Sequence, residues 1–402
     1  MFTRSFISDF LDTDPDLDWH GFLRGKVQAE IRSHSFGLDS LDPSLLTDLD
    51  TYPQDWTAAL AGLHGVSGSL DNAVQSTPEA DKQTSESSSI TTADIQAAAA
   101  DEPVFPTSRP PGTESESTNG DSGGEIASTG LNDYTNGMGG DDIIISIDTT
   151  NTGEDWISGG AGNDIILAGA GPDHVWGDDG NDNISGEGGN DIIVGGTGRD
   201  TIGGGGGEDT IYGGLGGDNL SGGNNSDFII GGLGADTING GDGSDTLWGD
   251  DSDVDGAAGG ADSLIGGAGD DALYGALGND TLQGGGGNDV LVGGGGNDRL
   301  VGGGGNDNLF GNNLLGVPEA DTFVFASGWG NDRIYSYNDG MDKFDMRQVV
   351  GLLGFDQLTI TQSGGDTIIA LDNLGGVLGG GTITLQDVAA STIDATDFIF
   401  LV

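Results

Sequence analysis

Aspartate recurs along the middle of this 402-residue chain, in most cases every nine residues, and an apolar residue follows two places after each of these aspartates. A period of nine does not fit a helix. It is typical of a solenoid in which a six-residue turn alternates with a three-residue strand. We therefore place these aspartates in one structural register, with Asp141 and Asp321 as outlying members: Asp141, Asp155, Asp164, Asp173, Asp182, Asp191, Asp200, Asp209, Asp218, Asp227, Asp236, Asp245, Asp262, Asp271, Asp280, Asp289, Asp298, Asp307 and Asp321.

Residues 284–292, Gly-Gly-Gly-Gly-Asn-Asp-Val-Leu-Val, illustrate one repeat. The glycines permit positive φ and let backbone carbonyls converge, and Asp289 adds a carboxylate. An all-oxygen set suits a hard cation with many ligands, which indicates calcium. Side chains alternate in the strand that follows, so Leu291 should point inward and Val290 and Val292 outward. Two repeats should form one coil, which stacks residues 18 apart at about 4.8 Å.

This stacking predicts that the fold depends on a metal. Two carboxylates about 5 Å apart repel by roughly 3–4 kcal/mol at an effective dielectric of 20, and by roughly 1 kcal/mol in bulk water. Burial of one Leu or Ile contributes roughly 1.5–3 kcal/mol. Repulsion and glycine entropy offset most of so thin a core, so we predict a chain that folds only with calcium. A flexible glycine-rich linker, the alternative, has no reason to keep the apolar register.

The repeats match the consensus G-G-x-G-x-D-x-U-x, in which U is apolar. The chain therefore resembles the RTX, or haemolysin-type calcium-binding repeat, proteins over residues 136–335. The resemblance implies an all-β fold, a right-handed parallel β-roll with calcium ions between successive turns, held by the aspartates and the glycine-turn carbonyls. Two copies, Thr150 to Ser158 and residues 222–225, depart from the glycine pattern, and we expect weaker binding there.

The composition along the chain predicts four regions. Residues 1–65 form a small, partly helical N-terminal region, with apolar residues at helical spacing across 18–33. Residues 66–130, rich in Ser, Thr, Glu, Pro and Gly, form a disordered linker. The roll occupies residues 131–335. Residues 336–402 form a β-rich C-terminal cap, which a solenoid with an apolar last coil needs.

A formal charge of −55 disfavours nucleic acid and anionic membranes as partners. The chain has no cysteine, which excludes disulfides and thiolate chemistry. Asp9 and Asp12 interrupt the apolar residues of the N-terminus, so we expect no cleavable secretory signal.

The tail Asp394 to Val402 is similar to the C-terminal export signals of RTX proteins. The resemblance therefore implies a type I secretion apparatus (ATP-driven transporter, membrane fusion protein and outer-membrane channel) and an extracellular or cell-surface location.

Two departures from the repeat suggest further binding. Asp251, Asp253 and Asp255 fit D-x-D-x-D-G, so the insertion that contains them is either an added calcium loop or a plain acidic segment. On one sheet the outward ninth positions are mostly aromatic or branched, among them Trp176, Tyr212 and Trp248 (the Trp176/Tyr212/Trp248 face). A contiguous exposed apolar face usually marks a contact surface for another part of the chain or a protein or surface partner. Ordinary β-propensity is the alternative.

The motifs do not indicate catalysis. The string Gly-Asp-Ser-Gly-Gly at residues 120–124 lies in the predicted linker, without the strand–turn–helix setting of a nucleophile. H-E-x-x-H is absent. We predict a secreted, calcium-binding, non-catalytic component of an extracellular matrix, an adhesive layer or a surface. The alternative is a secreted enzyme of the hydrolase type, with its active centre in the N- or C-terminal region.

Overall fold

The computed structural model describes residues 115–118, 124–128, 132–146, 153–250, 259–312, 319–371 and 381–401. These residues form an all-β parallel solenoid of about 11 turns. The N-terminal region 1–65, most of the predicted linker, and Asp251, Asp253 and Asp255 lie outside the described residues. No helix among the described residues is long and apolar enough to cross a membrane.

The strands alternate between two sheets, here called sheet A and sheet B, as expected where each nine-residue repeat supplies one strand. Sheet A contains, in spatial order, β1 (Ser115–Thr118), β3 (Asp133–Asn136), β5 (Trp156–Ala161), β7 (His174–Asp179), β9 (Ile192–Thr197), β11 (Thr210–Leu215), β13 (Phe228–Leu233), β15 (Thr246–Trp248), β17 (Ala272–Tyr274), β19 (Val290–Gly294), β21 (Asn308–Asn312), β23 (Asp332–Tyr335), β27 (Thr382–Leu385), β26 (Asp366–Leu371) and β25 (Leu358–Ser363). Sheet B contains β2 (Glu125–Ser128), β4 (Ile143–Ser146), β6 (Ile165–Leu167), β8 (Asn183–Gly188), β10 (Thr201–Gly206), β12 (Asn219–Asn224), β14 (Thr237–Asp242), β16 (Ser263–Ala268), β18 (Thr281–Gly286), β20 (Arg299–Gly304), β22 (Thr322–Ala326), β24 (Lys343–Gln348) and β28 (Phe398–Ile399).

Neighbouring strands of the roll pair in parallel, usually with residues 18 apart side by side. Ile211 pairs with Ile193 on one side and with Ile229 on the other. The longer step before Asp262 does not disturb this register, because Ile238 pairs with Leu264 across it. The predicted two-repeat coil is therefore confirmed.

Each strand of the roll gives one side chain to the core. Leu291 is fully buried, whereas Val290 and Val292 beside it are half-buried on the outer side, as predicted. The same inward position is held by Ile126, Ile144, Ile157, Ile166, Val175, Ile184, Ile193, Ile202, Ile211, Leu220, Ile229, Ile238, Leu247, Leu264, Leu273, Leu282, Leu300, Leu309 and Phe323. The core is thus a single stack of side chains enclosed by two sheets.

The register at β4 differs from the predicted one by one residue. Ile144 is fully buried, while Ile143 is 41% exposed. Asp142 is buried, and Asp141 is exposed and accepts an N–H from Asn163. The placement of Asp141 and Ile143 in the register was therefore wrong. In a strand, a slip of one residue moves each side chain to the opposite face, and Asp142 with Ile144 fits the roll.

The roll also extends beyond its predicted limits. β1 and β2 lie inside the segment 66–130 that we predicted as disordered, and Ile126 of β2 is buried in the core. At the other end, β24 continues the parallel pairing of sheet B past residue 335. In both places one inward apolar residue is enough to add a strand, which composition alone does not reveal.

The C-terminal cap closes the last coil. β27 and β28 extend the two sheets in parallel, while β26 and β25 pair antiparallel beyond β27. Aromatic residues from the last strands and the tail pack together here, with Phe344 and Phe398 centred 5.0 Å apart. The β-rich cap predicted from the sequence is confirmed as far as its described residues extend.

Candidate metal centre

Buried aspartates form two continuous ladders along the roll, one before the strands of each sheet. In both, Oδ1 of one aspartate accepts the backbone N–H of the aspartate one coil earlier. Asp200 accepts from Asp182 at 2.8 Å, and Asp218 accepts from Asp200 at 2.8 Å. Across the insertion, Asp262 accepts from Asp236 at 2.8 Å. We call these the aspartate ladders; the N–H group fixes the orientation of each carboxylate.

The second oxygen of most ladder carboxylates has no protein partner. Oδ2 is buried without a hydrogen bond in Asp164, Asp182, Asp191, Asp200, Asp209, Asp218, Asp227, Asp236, Asp245, Asp262, Asp271, Asp280, Asp289, Asp298, Asp307 and Asp321. A buried acceptor left without a donor is unfavourable by about 1–3 kcal/mol, and by more when it is charged. A fold that repeats this at almost every half-coil needs a positive partner for these oxygens.

Glycine keeps a space open beside each of these oxygens. A Cβ atom on Gly177 would lie 2.5 Å from Oδ2 of Asp182 and 2.5 Å from the carbonyl oxygen of Gly195. A Cβ atom on Gly195 would lie 2.6 Å from Oδ2 of Asp200 and 2.5 Å from the carbonyl oxygen of Gly213. These separations are shorter than real Cβ contacts, so only glycine fits. The space, which we call the glycine cradle, is bounded by oxygen atoms that suit calcium.

Burial also changes the protonation of the ladders. It raises the pKa of Asp182 to about 7 and that of Asp236 and Asp280 to about 8. Loss of water is the largest cause; the accepted N–H opposes it, and neighbouring ladder aspartates add to it. A cation between the coils would stabilise the charged form against both unfavourable effects.

The donor set distinguishes among metals. Among the residues that the structure describes, no three His, Cys, Asp or Glu side chains come together as a metal-binding group. A cation beside Asp182 would therefore take carboxylate oxygens from the ladder and its other ligands from backbone carbonyls such as that of Gly195. Calcium accepts such all-oxygen sets, whereas structural zinc requires several His or Cys ligands. The residues present fit calcium, which would supply the positive charge that the Oδ2 atoms lack.

Comparison with known proteins agrees with this geometry. A sequence profile described as the RTX calcium-binding nonapeptide repeat (4 copies) matches residues 149–184, 158–193, 185–220, 221–253, 257–282 and 283–313. The chain carries RTX repeats. Repeats of this kind bind calcium, which supports calcium as the ion of the ladders. No curated protein matches the chain in overall sequence.

Three solved structures share local similarity with the RTX roll. The AlgE6R2 subunit of the Azotobacter vinelandii mannuronan C5-epimerase is 29% identical over 34% of this chain and 91% of its own, with a TM-score of 0.27. The extracellular lipase LipA from Serratia marcescens is 24% identical over 58% of this chain and 40% of its own (TM-score 0.28). The AlgE6R3 subunit of the same epimerase is 22% identical over 44% and 80% (TM-score 0.21). With TM-scores below 0.5, these likenesses carry no argument about function.

The structure brings most of the predicted site residues into the ladders, but not all of them. Asp164 to Asp245 and Asp262 to Asp307 occupy the expected buried positions. Asp155 lies in a ladder, but its Oδ2 accepts the hydroxyl of Ser146 at 2.6 Å. Asp141 is outside the ladders. The role of the ladder aspartates as calcium ligands remains a prediction from this geometry.

Sequence reasoning missed several ladder members. Asp133, Asp142, Asp332 and Asp342 are buried, and their backbone or carboxylate groups continue the ladders. Each lies two residues before an inward side chain, namely Thr135, Ile144, Ile334 and Phe344. At Asp142 the usable signal was Gly137, five residues earlier, which separates Asp142 from Asp141.

The Trp176/Tyr212/Trp248 face is less exposed than predicted. Trp176 is only 4% exposed, and the exposed branched residues Ile143, Ile165 and Ile265 all lie on sheet B. Side chains in adjacent coils of sheet A cover one another; the rings of Trp248 and Tyr274, for example, stack at 4.1 Å. The Trp176/Tyr212/Trp248 face is therefore buried at Trp176 and half-buried at Tyr212 and Trp248.

Proposed function

We propose that this chain is a secreted protein whose roll folds when the aspartate ladders bind calcium outside the cell. In this proposal it acts as a non-catalytic component of an extracellular matrix, an adhesive layer or a surface. The row of buried, unpartnered Oδ2 atoms carries the proposal, because nothing else in the described residues satisfies them. The polypeptide supplies the oxygen ligands of each site, and the medium supplies the calcium ion.

An extracellular setting suits these sites. A cradle such as that of Gly177 offers one carboxylate oxygen and a backbone carbonyl oxygen. Calcium modules that work outside cells bind with dissociation constants of about 10⁻⁴–10⁻³ M. The C-terminal tail supports export before folding. Phe398 is 7% exposed and packs against Phe355 at 5.5 Å in the cap. A type I secretion apparatus that reads this tail would therefore have to engage it while the cap is unfolded.

Calcium titration of the full chain, followed by circular dichroism, tests the proposal. We expect little β signal in excess chelator and a cooperative rise as calcium is added, because the ladders need a cation to become satisfied. Magnesium is the matched control, since it prefers six rigid ligands and keeps its own waters. A full and cooperative β signal in excess chelator would contradict the proposal.

The absence of catalysis needs its own measurement. Within the described residues the single histidine is His174, which is stacked on Trp156 at 4.1 Å and forms an ion-pair contact with Glu154 at 3.6 Å. This arrangement presents no activated nucleophile beside it. We expect no turnover when the calcium-loaded full chain is screened against hydrolase and lyase substrates. Turnover that disappears in chelator would favour the secreted enzyme instead.

The surface role requires a contact region. We propose that a protein or surface partner binds through the part of sheet A near Tyr212 and Trp248, whose outer side chains are half-buried. Substitution of Tyr212 and Ile230 by Ser should change the oligomer size or the stability of the calcium-loaded chain. Light scattering and thermal melts measure both. Unchanged values in both measurements would remove sheet A as a contact region.

A further inference from the structure

Asp155 differs from the other ladder aspartates because both of its carboxylate oxygens have protein donors. Oδ1 accepts the N–H of Asp133 at 2.8 Å, as the ladder requires. Oδ2 accepts the hydroxyl of Ser146 at 2.6 Å. Both side chains are buried, Ser146 with 5% and Asp155 with 1% exposure. The short distance is typical of a hydroxyl that donates to an ionised carboxylate.

Ser146 stands where the regular repeats have glycine. It follows the inward residue of β4, Ile144, by two places, as Gly186 follows Ile184 in β8. A Cβ atom on Gly186 would lie against Oδ2 of Asp191 and 2.6 Å from the carbonyl oxygen of Gly204. The side chain of Ser146 therefore fills the space that forms the cradle elsewhere.

We infer that the Ser146 hydroxyl takes the place of calcium at Asp155, so that the first coil of this ladder closes without a metal. The inference rests on the proposed function, in which the glycine cradles hold calcium. A serine hydroxyl supplies one donor to Oδ2, and its own atoms occupy the volume that an ion would need. Asp155 is then a structural member of the ladder rather than a metal ligand.

The other ladder ends in a similar way. Oδ2 of Asp342 accepts the N–H of Asn338 at 2.7 Å, so this carboxylate is also satisfied by the chain itself. The residue two places after the inward Ile334 is Ser336, not glycine. A protein donor thus takes the place of the cation near the start of the ladder before sheet A and at the end of the ladder before sheet B.

Native mass spectrometry of the full chain at saturating calcium tests the inference by counting bound ions. Ser146→Gly opens a cradle at Asp155 and should gain one calcium ion per chain. Gly186→Ser fills a cradle and should lose one. Asp155→Asn should leave the count unchanged, because no ion binds at Asp155 and the Asn amide can still pair with the Ser146 hydroxyl. Ser158→Gly is the matched control, since buried Ser158 donates to Asp178 outside the ladders and its loss should not change the count.

The outcomes separate this inference from the proposed function. A wild-type chain that binds no calcium contradicts the proposed function itself. A wild-type chain that binds calcium, with no gain in Ser146→Gly or a loss of one ion in Asp155→Asn, overturns the inference alone. The Asp155→Asn measurement decides the matter even when Ser146→Gly does not fold.

Discussion

The roll and the C-terminal cap satisfy their buried carboxylates in different ways. In the roll, Asp236 receives one N–H on Oδ1, and its Oδ2 has no protein donor. In the cap, Asp345 is held by the guanidinium of Arg347 at 2.9 and 2.7 Å and by Arg299 at 3.4 Å. Asp342 receives N–H groups on both oxygens. These carboxylates of the cap thus have protein donors on both oxygens, whereas Oδ2 of a ladder aspartate such as Asp236 has none.

The hydrophobic core of the cap is also larger per strand than that of the roll. The roll has one aliphatic side chain per strand, so each coil buries little apolar surface. The cap adds aromatic packing from separate elements, with Phe344 in contact with Phe323, Tyr337 and Phe398. Aromatic side chains bury 150–250 Å² each in typical proteins. A region with more apolar burial and satisfied carboxylates should remain ordered under conditions in which the roll does not.

Removal of calcium should have the largest effect and should separate the two regions. In excess chelator we expect backbone amides of β5 to β21 to lose protection from hydrogen exchange, because the Oδ2 atoms of the ladders are then unsatisfied. We expect amides of β24 to β27 to keep at least part of theirs. Hydrogen exchange with mass spectrometry at peptide resolution measures both regions in one sample.

Re-addition of calcium is the control for this experiment and should restore protection in the roll. Equal loss of protection in the roll and the cap would contradict the comparison, because it would mean that the cap depends on the ion as much as the ladders do.

Truncation of core residues should produce the next largest effect. Leu291→Ala removes a fully buried side chain from the single stack of the roll, and Phe344→Ala removes one from the aromatic core of the cap. We expect losses of about 2–5 kcal/mol and about 3–5 kcal/mol in the free energy of unfolding. The loss at Leu291 should also raise the calcium concentration at the folding midpoint, since folding and binding are linked.

Ile265→Ala is the control for these variants. This residue is 36% exposed on sheet B, so its truncation should change stability by less than about 0.5 kcal/mol. A Phe344→Ala variant that shifts the calcium midpoint of the roll as strongly as Leu291→Ala would show that the two cores are not distinct.

Neutralisation of single carboxylates should have a smaller effect and should test the roles of the ions directly. Asp236→Asn removes the charge beside a cradle and should weaken calcium binding with little effect in chelator. Asp345→Asn removes the partner of Arg347 and should lower stability by about 1–3 kcal/mol, independent of calcium. Thermal melts with and without calcium measure both. An effect of Asp345→Asn that vanishes in chelator would contradict this assignment.

The sequence predicted the repeating part of the molecule well because every repeat obeys the same two periodicities. Asp289 and Leu291 illustrate this. The aspartate position repeats as a ladder and the leucine position repeats as the core, so the two-sheet roll could be predicted from their spacing. Prediction failed where the spacing changed. At Asp141 and Asp142 two aspartates compete for one position, and only the glycine at Gly137 identifies the buried one, because its cradle faces Asp142.

The limits of the metal sites could not be read from aspartates alone. Asp155 has the right spacing to Asp164. Ser146, however, lies nine residues before Asp155 rather than five, and this longer spacing hides that Ser146 occupies the glycine position. The burial of Trp176 could not be predicted from the sequence either. Strand alternation predicts that its side chain points outward, but whether neighbouring side chains bury it depends on tertiary packing.

Acidification should act with opposite signs in the two regions. In the calcium-free roll, burial raises the pKa of Asp182 to about 7 and that of Asp236 to about 8. Their folded state therefore binds more protons than the unfolded chain, so their contribution is largest below about pH 3.9 and is lost as the pH rises towards 8. Arg347 holds the pKa of Asp345 at about 2, so its contribution is present above about pH 3.9 and is lost as the pH falls towards 2.

In excess chelator, a change from about pH 8 to about pH 5 should therefore increase the order of the roll and leave the Asp345 contact unchanged. With calcium present, the same change should lower calcium affinity, because protons compete with the ion for the ladder carboxylates. Hydrogen exchange and calcium titrations at both pH values measure these shifts. Asp345→Asn is the control, since it should flatten the response of the cap only below about pH 4. A calcium-free roll that instead loses order on acidification to pH 5 would show that its carboxylates are already stabilised in the charged form. That result would contradict the predicted difference between the roll and the cap.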